Sequence, residues 1–61
     1  MAIEKIIKIM KNHGLYCVAL DDRTIGLTDN AGKVYNKVAV TDDGRIIDGN
    51  MTMSLVAWLG Y

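Results

Sequence analysis

His13 and Cys17, the single histidine and single cysteine of a 61-residue chain, lie four residues apart. A thiol becomes a catalytic nucleophile when an imidazole within hydrogen-bond reach takes its proton and a third group orients that imidazole. Here Gly14 stands between the two as a helix stop, so spacing alone does not bring ring and thiol together. Their plainer roles are a helix-terminal histidine beside exposed carbonyls and a cysteine packed as a small hydrophobe. One Cys and one His also fall short of the four ligands of a closed zinc site, and a lone cysteine forms no intrachain disulfide.

Six aspartates, Asp21, Asp22, Asp29, Asp42, Asp43 and Asp48, sit in or beside stretches of turn-forming residues. Carboxylates in loops suit hard cations, but none of these has the D-x-[DN]-x-[DN]-G spacing that wraps one calcium ion. Capping of backbone N–H groups within turns accounts for them. The one metal arrangement left is a weak cation site where Asp22 and Asp42-Asp43 meet, since alternate turns of a regular meander share an end of the sheet. Glycine motifs for phosphate, G-x-G-x-x-G and G-x-x-x-x-G-K-[ST], do not occur. The expectation is a non-enzymatic protein with no cofactor, no metal and no catalytic residues.

Lys5, Lys8 and Lys11 against Glu4 leave residues 1–14 at +2, and Arg23, Lys33, Lys37 and Arg45 against the six aspartates leave the remainder at −2. Phosphate contacts from Lys and Arg dominate nucleic-acid affinity, and this neutral chain lacks the basic footprint of such a domain. Tyr16 and Tyr35 could stack bases on a sheet surface, yet no nucleic-acid-binding motif accompanies them. A small nucleic-acid-binding barrel using Lys5, Lys8 and Lys11 is the alternative function; nucleic acid is not the expected partner.

The elements that must position these residues follow from periodicity. Ile3, Ile6, Ile7 and Met10 recur at i, i+3, i+4, i+7, with Ile9 and His13 widening the same face, while Glu4, Lys5, Lys8, Lys11 and Asn12 fill the other. This predicts an amphipathic helix over 2–13, stopped at Gly14. From Leu15 the period becomes two, and turn chemistry at 22–23, 29–32 and 42–44 divides four antiparallel strands over 15–21, 24–29, 33–41 and 45–48. Both rows of the first strand are apolar, which predicts cover on both sides. In the third, Asn36 intrudes on the inward row of Val34, Val38 and Val40, which a bulge or an edge position would accommodate. The pattern T-D-x-G-basic-apolar occurs twice, at 28–34 with one extra residue and at 41–46.

The segment GNMTMSLVAWLGY, residues 49–61, carries no charge at all. Drawn as a helix capped by Asn50 or Thr52, it places Met51, Leu55, Trp58 and Leu59 on one stripe, with Met53, Val56 and Gly60 largely on the other. The predicted fold is therefore α+β: an N-terminal amphipathic helix, a four-stranded antiparallel meander and a short C-terminal helix, in one domain over 1–61. The alternative draws MTMSLVAW as a fifth strand and yields a helix plus a small five-stranded SH3-like barrel.

A domain of this length buries only about 60% of the surface its unfolded chain exposes, and without disulfide or metal the available reinforcement is oligomerisation. Met, Trp and Tyr are residues of protein interfaces, and the uncharged segment concentrates them. Hence the expected function is a self-associating interaction or regulatory module, dimeric, with Met51, Met53, Leu55, Val56, Trp58, Leu59 and Tyr61 as the interface. The opening Met and absence of a targeting segment lead us to expect a complete small open reading frame, of the kind found among bacterial and phage accessory proteins. The uncharged run is too short to span a bilayer and has no basic face for a membrane surface, so no membrane partner and a cytoplasmic location are expected.

Overall fold

The computed structural model describes residues 3–60. Helix α1 runs Ile3–Asn12 and is followed by strands β1 (Cys17–Ala19), β2 (Thr24–Thr28), β3 (Val34–Val40), β4 (Ile46–Asp48) and β5 (Met51–Met53), then by helix α2 (Leu55–Leu59). The chain is thus α+β, with the five strands hydrogen-bonded in sequence order as one antiparallel sheet. The strand count matches the barrel alternative, although among the described residues β1 and β5 remain the two ends of the order. The expected helix start at Ala2 lies outside the described residues.

Alternation sorts the sheet into two faces. Cys17, Ile25, Leu27, Val38, Val40 and Ile46 occupy the inner one, where Ile3, Ile6 and Met10 of α1 complete the buried core. The helix meets the sheet through its 3.6-period stripe, and the lysines stay in solvent because they lie opposite that stripe. Leu55 and Trp58 of α2 pack against the same core. Both helices therefore cover one side, and the two-sided cover predicted for the first strand is not found. Tyr16, Val18 and Leu20 are exposed on the outer side, at 61%, 43% and 44%.

The pairing of β2 with β3 shifts between Leu27 and Thr28: Leu27 faces Asn36 and Thr28 faces Val34, leaving Tyr35 as the extra residue. The extra residue moves Val34, which is exposed, out of step with Val38 and Val40, whereas Asn36 keeps its regular pairing with Leu27 on the inward row. Asn36 is nevertheless exposed at the end of the regularly paired run that leads to buried Val38 and Val40.

Two turns use the same backbone device. Asp29 N–H donates to the Lys33 carbonyl at 3.0 Å, Gly32 N–H to the Asp29 carbonyl at 3.1 Å, and Lys33 N–H to Asp29 Oδ1 at 2.9 Å. Thr41 N–H donates to the Arg45 carbonyl at 2.9 Å, Gly44 N–H to the Thr41 carbonyl at 3.0 Å, and Arg45 N–H to Thr41 Oγ1 at 2.9 Å. Asp29 is therefore the counterpart of Thr41, and 29–34 matches 41–46 with no inserted residue, one position away from the alignment the sequence pattern suggested. Gly32 and Gly44 supply φ of 87° and 83° at equivalent places, a backbone region that side chains disfavour.

Candidate protein-interaction surface

The uncharged C-terminal segment divides between two elements. Gly49 at φ 62°, followed by Asn50 at negative φ, closes a two-residue hairpin with Gly at the first central position, which turns β4 back into β5. Met51–Met53 is consequently a strand, and the predicted helix over this stretch is corrected to β5 followed by α2. Neither Asn50 nor Thr52 caps the helix. That role falls to Ser54, whose Oγ accepts a hydrogen bond from Ala57 N–H at 3.1 Å. Gly60 ends α2 at φ 95° and donates its N–H to the Ala57 carbonyl at 3.1 Å.

A five-residue helix has no independent stability, so its docking decides its existence. Leu55 and Trp58 rest against the core, and Trp58 Nε1–H donates to Asp48 Oδ2 at 3.0 Å on the same side of the sheet. Asp48 ends β4, and its register partner is Met51. One carboxylate thereby ties helix α2 to the strand pair that precedes it. The sequence suggested only a turn role for Asp48, because an acceptor ten residues from its tryptophan leaves no local signal.

Among the predicted interface residues, Met51 and Val56 are exposed, at 61% and 59%, while Met53, Leu55, Trp58 and Leu59 are half-buried. Tyr61 lies outside the described residues. Met51 and Met53 share the inner side of the β5 edge, and Thr52 lies on the outer side beside Ile47, its register partner. Trp58 and Leu59 also border a cavity of about 390 Å³ completed by His13, Leu15, Leu27 and the bulged Tyr35. Exposed Val18, Leu20 and Ile47 form apolar surface on the outer side of the sheet that the sequence did not signal, since the first strand read as covered.

The residues with chemical potential go elsewhere. His13 donates Nδ1–H to the Ile9 carbonyl at 2.8 Å, whereas the Cys17 thiol lies 3.9 Å from the Ile7 carbonyl. Ring and thiol are thus each directed to a separate carbonyl of α1. Burial pushes the Cys17 thiol upward in pKa, only partly opposed by Lys11, which works against thiolate formation. At the end of the sheet where Asp22 and Asp42 meet, Arg23 forms an ion pair with Asp42, and no group of acidic or imidazole side chains able to hold a metal ion occurs among the described residues. Lys5, Lys8 and Lys11 lie exposed along α1 with Glu4 among them.

No family model, curated protein or solved structure matches this chain. Among the described residues, no helix is long and apolar enough to cross a membrane.

Proposed function

We propose that this chain is a small non-enzymatic interaction module of the cytoplasm that self-associates as a homodimer through its C-terminal segment. The observation that carries this function is the exposure of Met51 and Val56 on a segment without any charge. Large apolar side chains exposed on a segment without a guarding charge are a feature of surfaces that meet other proteins. Met53, Leu55, Trp58 and Leu59 of the same segment are half-buried, Leu55 and Trp58 against the core. A cytoplasmic location accords with the lone, buried Cys17 thiol.

Sedimentation equilibrium from micromolar to near-millimolar protein tests the proposal, with Val56→Asp as the variant. Val56 is a better choice than Trp58 because its exposure lets the monomer tolerate a carboxylate. A concentration-dependent dimer in the native protein, weakened at least tenfold in Val56→Asp with an unchanged circular-dichroism spectrum, is expected. A strict monomer across that range refutes it.

A further inference from the structure

Thr52 stands at the centre of β5, the last strand of the sheet. Its backbone orientation follows from the bonds further in. Thr41 N–H donates to the Arg45 carbonyl, so Thr41 and Arg45 face each other with their polar groups, and in an antiparallel ladder such pairs alternate. The next bonded pair is Ala39 with Ile47, which turns the N–H and C=O of Ile46 and Asp48 toward β5. Their partners Met53 and Met51 therefore direct their backbone groups inward to β4, and Thr52 directs both of its own to the open edge. The two-residue hairpin at Gly49-Asn50 requires the same phase, since its closing pair, Asp48 with Met51, is a bonded one.

Proteins guard an exposed sheet edge with lysine, proline, a bulge or an overlying element. Asn50 through Ser54 contains neither charge nor proline, and the pairing of β4 with β5 is regular. We propose that this edge pairs with the same edge of a second copy, antiparallel about a twofold axis through Thr52, to form a continuous ten-stranded sheet. This mode rests on the self-association proposed above and specifies its geometry.

The second copy is favoured over a foreign strand by self-complementarity, which a twofold interface demands. With the axis at Thr52, the two threonines form a bonded pair, Met51 lies opposite Met53 of the other copy, and Asn50 lies opposite Ser54. Each pair matches like with like, and the absence of charge removes the repulsion that self-pairing brings to a charged edge. Other registers fail for stated reasons. An axis at Met51 or Met53 presents backbone groups already committed to β4, and one at Ser54 centres the pairing on a carbonyl already accepting from Trp58 N–H at 2.9 Å, which in the Thr52 register touches only the outermost pair. The same axis keeps Met51 and Met53 of both copies on the core side of the joined sheet, where Met51 gains cover.

Thr52→Pro tests the edge directly. Proline removes an N–H that β4 does not use, so the monomer keeps its ladder while the joining bonds are lost. Thr52→Cys supplies a second readout should the proline variant fold poorly. A bonded antiparallel pair sets the Cα atoms about 5.5 Å apart, within disulfide reach, whereas the two copies of residue 51 stand about 8 Å apart, beyond it. Expected results are a native dimer, a dissociation constant raised at least tenfold in Thr52→Pro, and oxidative cross-linking of Thr52→Cys but not of Met51→Cys or the native protein. A native dimer that survives Thr52→Pro, or one in which Thr52→Cys fails to cross-link, overturns the edge pairing and leaves self-association standing. A native protein monomeric at every concentration overturns both.

Discussion

Trp58→Phe in combination with Asp48→Ala measures what holds helix α2 in place. The Trp58 indole N–H donates to a carboxylate oxygen at 3.0 Å, and both side chains are half-buried. Hydrogen bonds to charged groups contribute about 1.5–3 kcal/mol when well shielded; partial exposure reduces this one to about 1 kcal/mol. Trp58→Phe also deletes part of a ring resting on the core, which adds about 1 kcal/mol for roughly 40 Å² of apolar surface. A domain of this length has about 3–9 kcal/mol of total stability, so the summed loss is a large share of it. Urea unfolding of the native protein, both single variants and the double variant, followed by far-UV circular dichroism at low micromolar concentration, separates the two contributions. The expected coupling energy between positions 48 and 58 is about 1 kcal/mol, with a fall in Tm of about 4–8 °C for each kcal/mol lost. A coupling below about 0.3 kcal/mol, the scatter of independent sites, refutes the assignment of Asp48 as the anchor of α2.

Acid sensitivity should trace to two turn aspartates. Arg23 N–H, donating to Asp21 at 2.8 Å, holds that carboxyl below its ordinary range, and the Thr41 hydroxyl does the same for Asp43. A carboxylate whose folded pKa is depressed adds stability that is present above its unfolded value, about 3.9, and lost as pH falls through the folded value. Asp21→Asn with Asp43→Asn should therefore flatten the decline of stability below about pH 4; an unchanged acid limb in urea titrations contradicts this. Cys17, buried and raised in pKa, should resist iodoacetamide in the folded protein at pH 7 and react readily in urea. Equal rates in both states would show that the thiol is not shielded.

Local chemistry made much of this molecule legible before its coordinates. The apolar stripe of Ile3, Ile6 and Met10 marked α1 and its buried face, because the helical period relates residues a turn apart. Glycines and aspartates located the turns, since positive φ and side-chain capping are needs of a few adjacent residues. Asn36, a polar residue in an apolar row, suggested a bulge or an edge position; the pairing places the extra residue beside it, at Tyr35, and leaves Asn36 itself in regular register with Leu27. Non-local matters were decided by tertiary structure. Whether Met51–Met53 continued into a helix or formed a strand depended on a partner, Ile46–Asp48, becoming available across a two-residue turn. Trp58 met Asp48 only once that hairpin existed, and the outer rows of β1 stayed exposed because both helices were needed on the other side. Periodicity tells which residues share a face; what covers that face is a property of the assembled sheet.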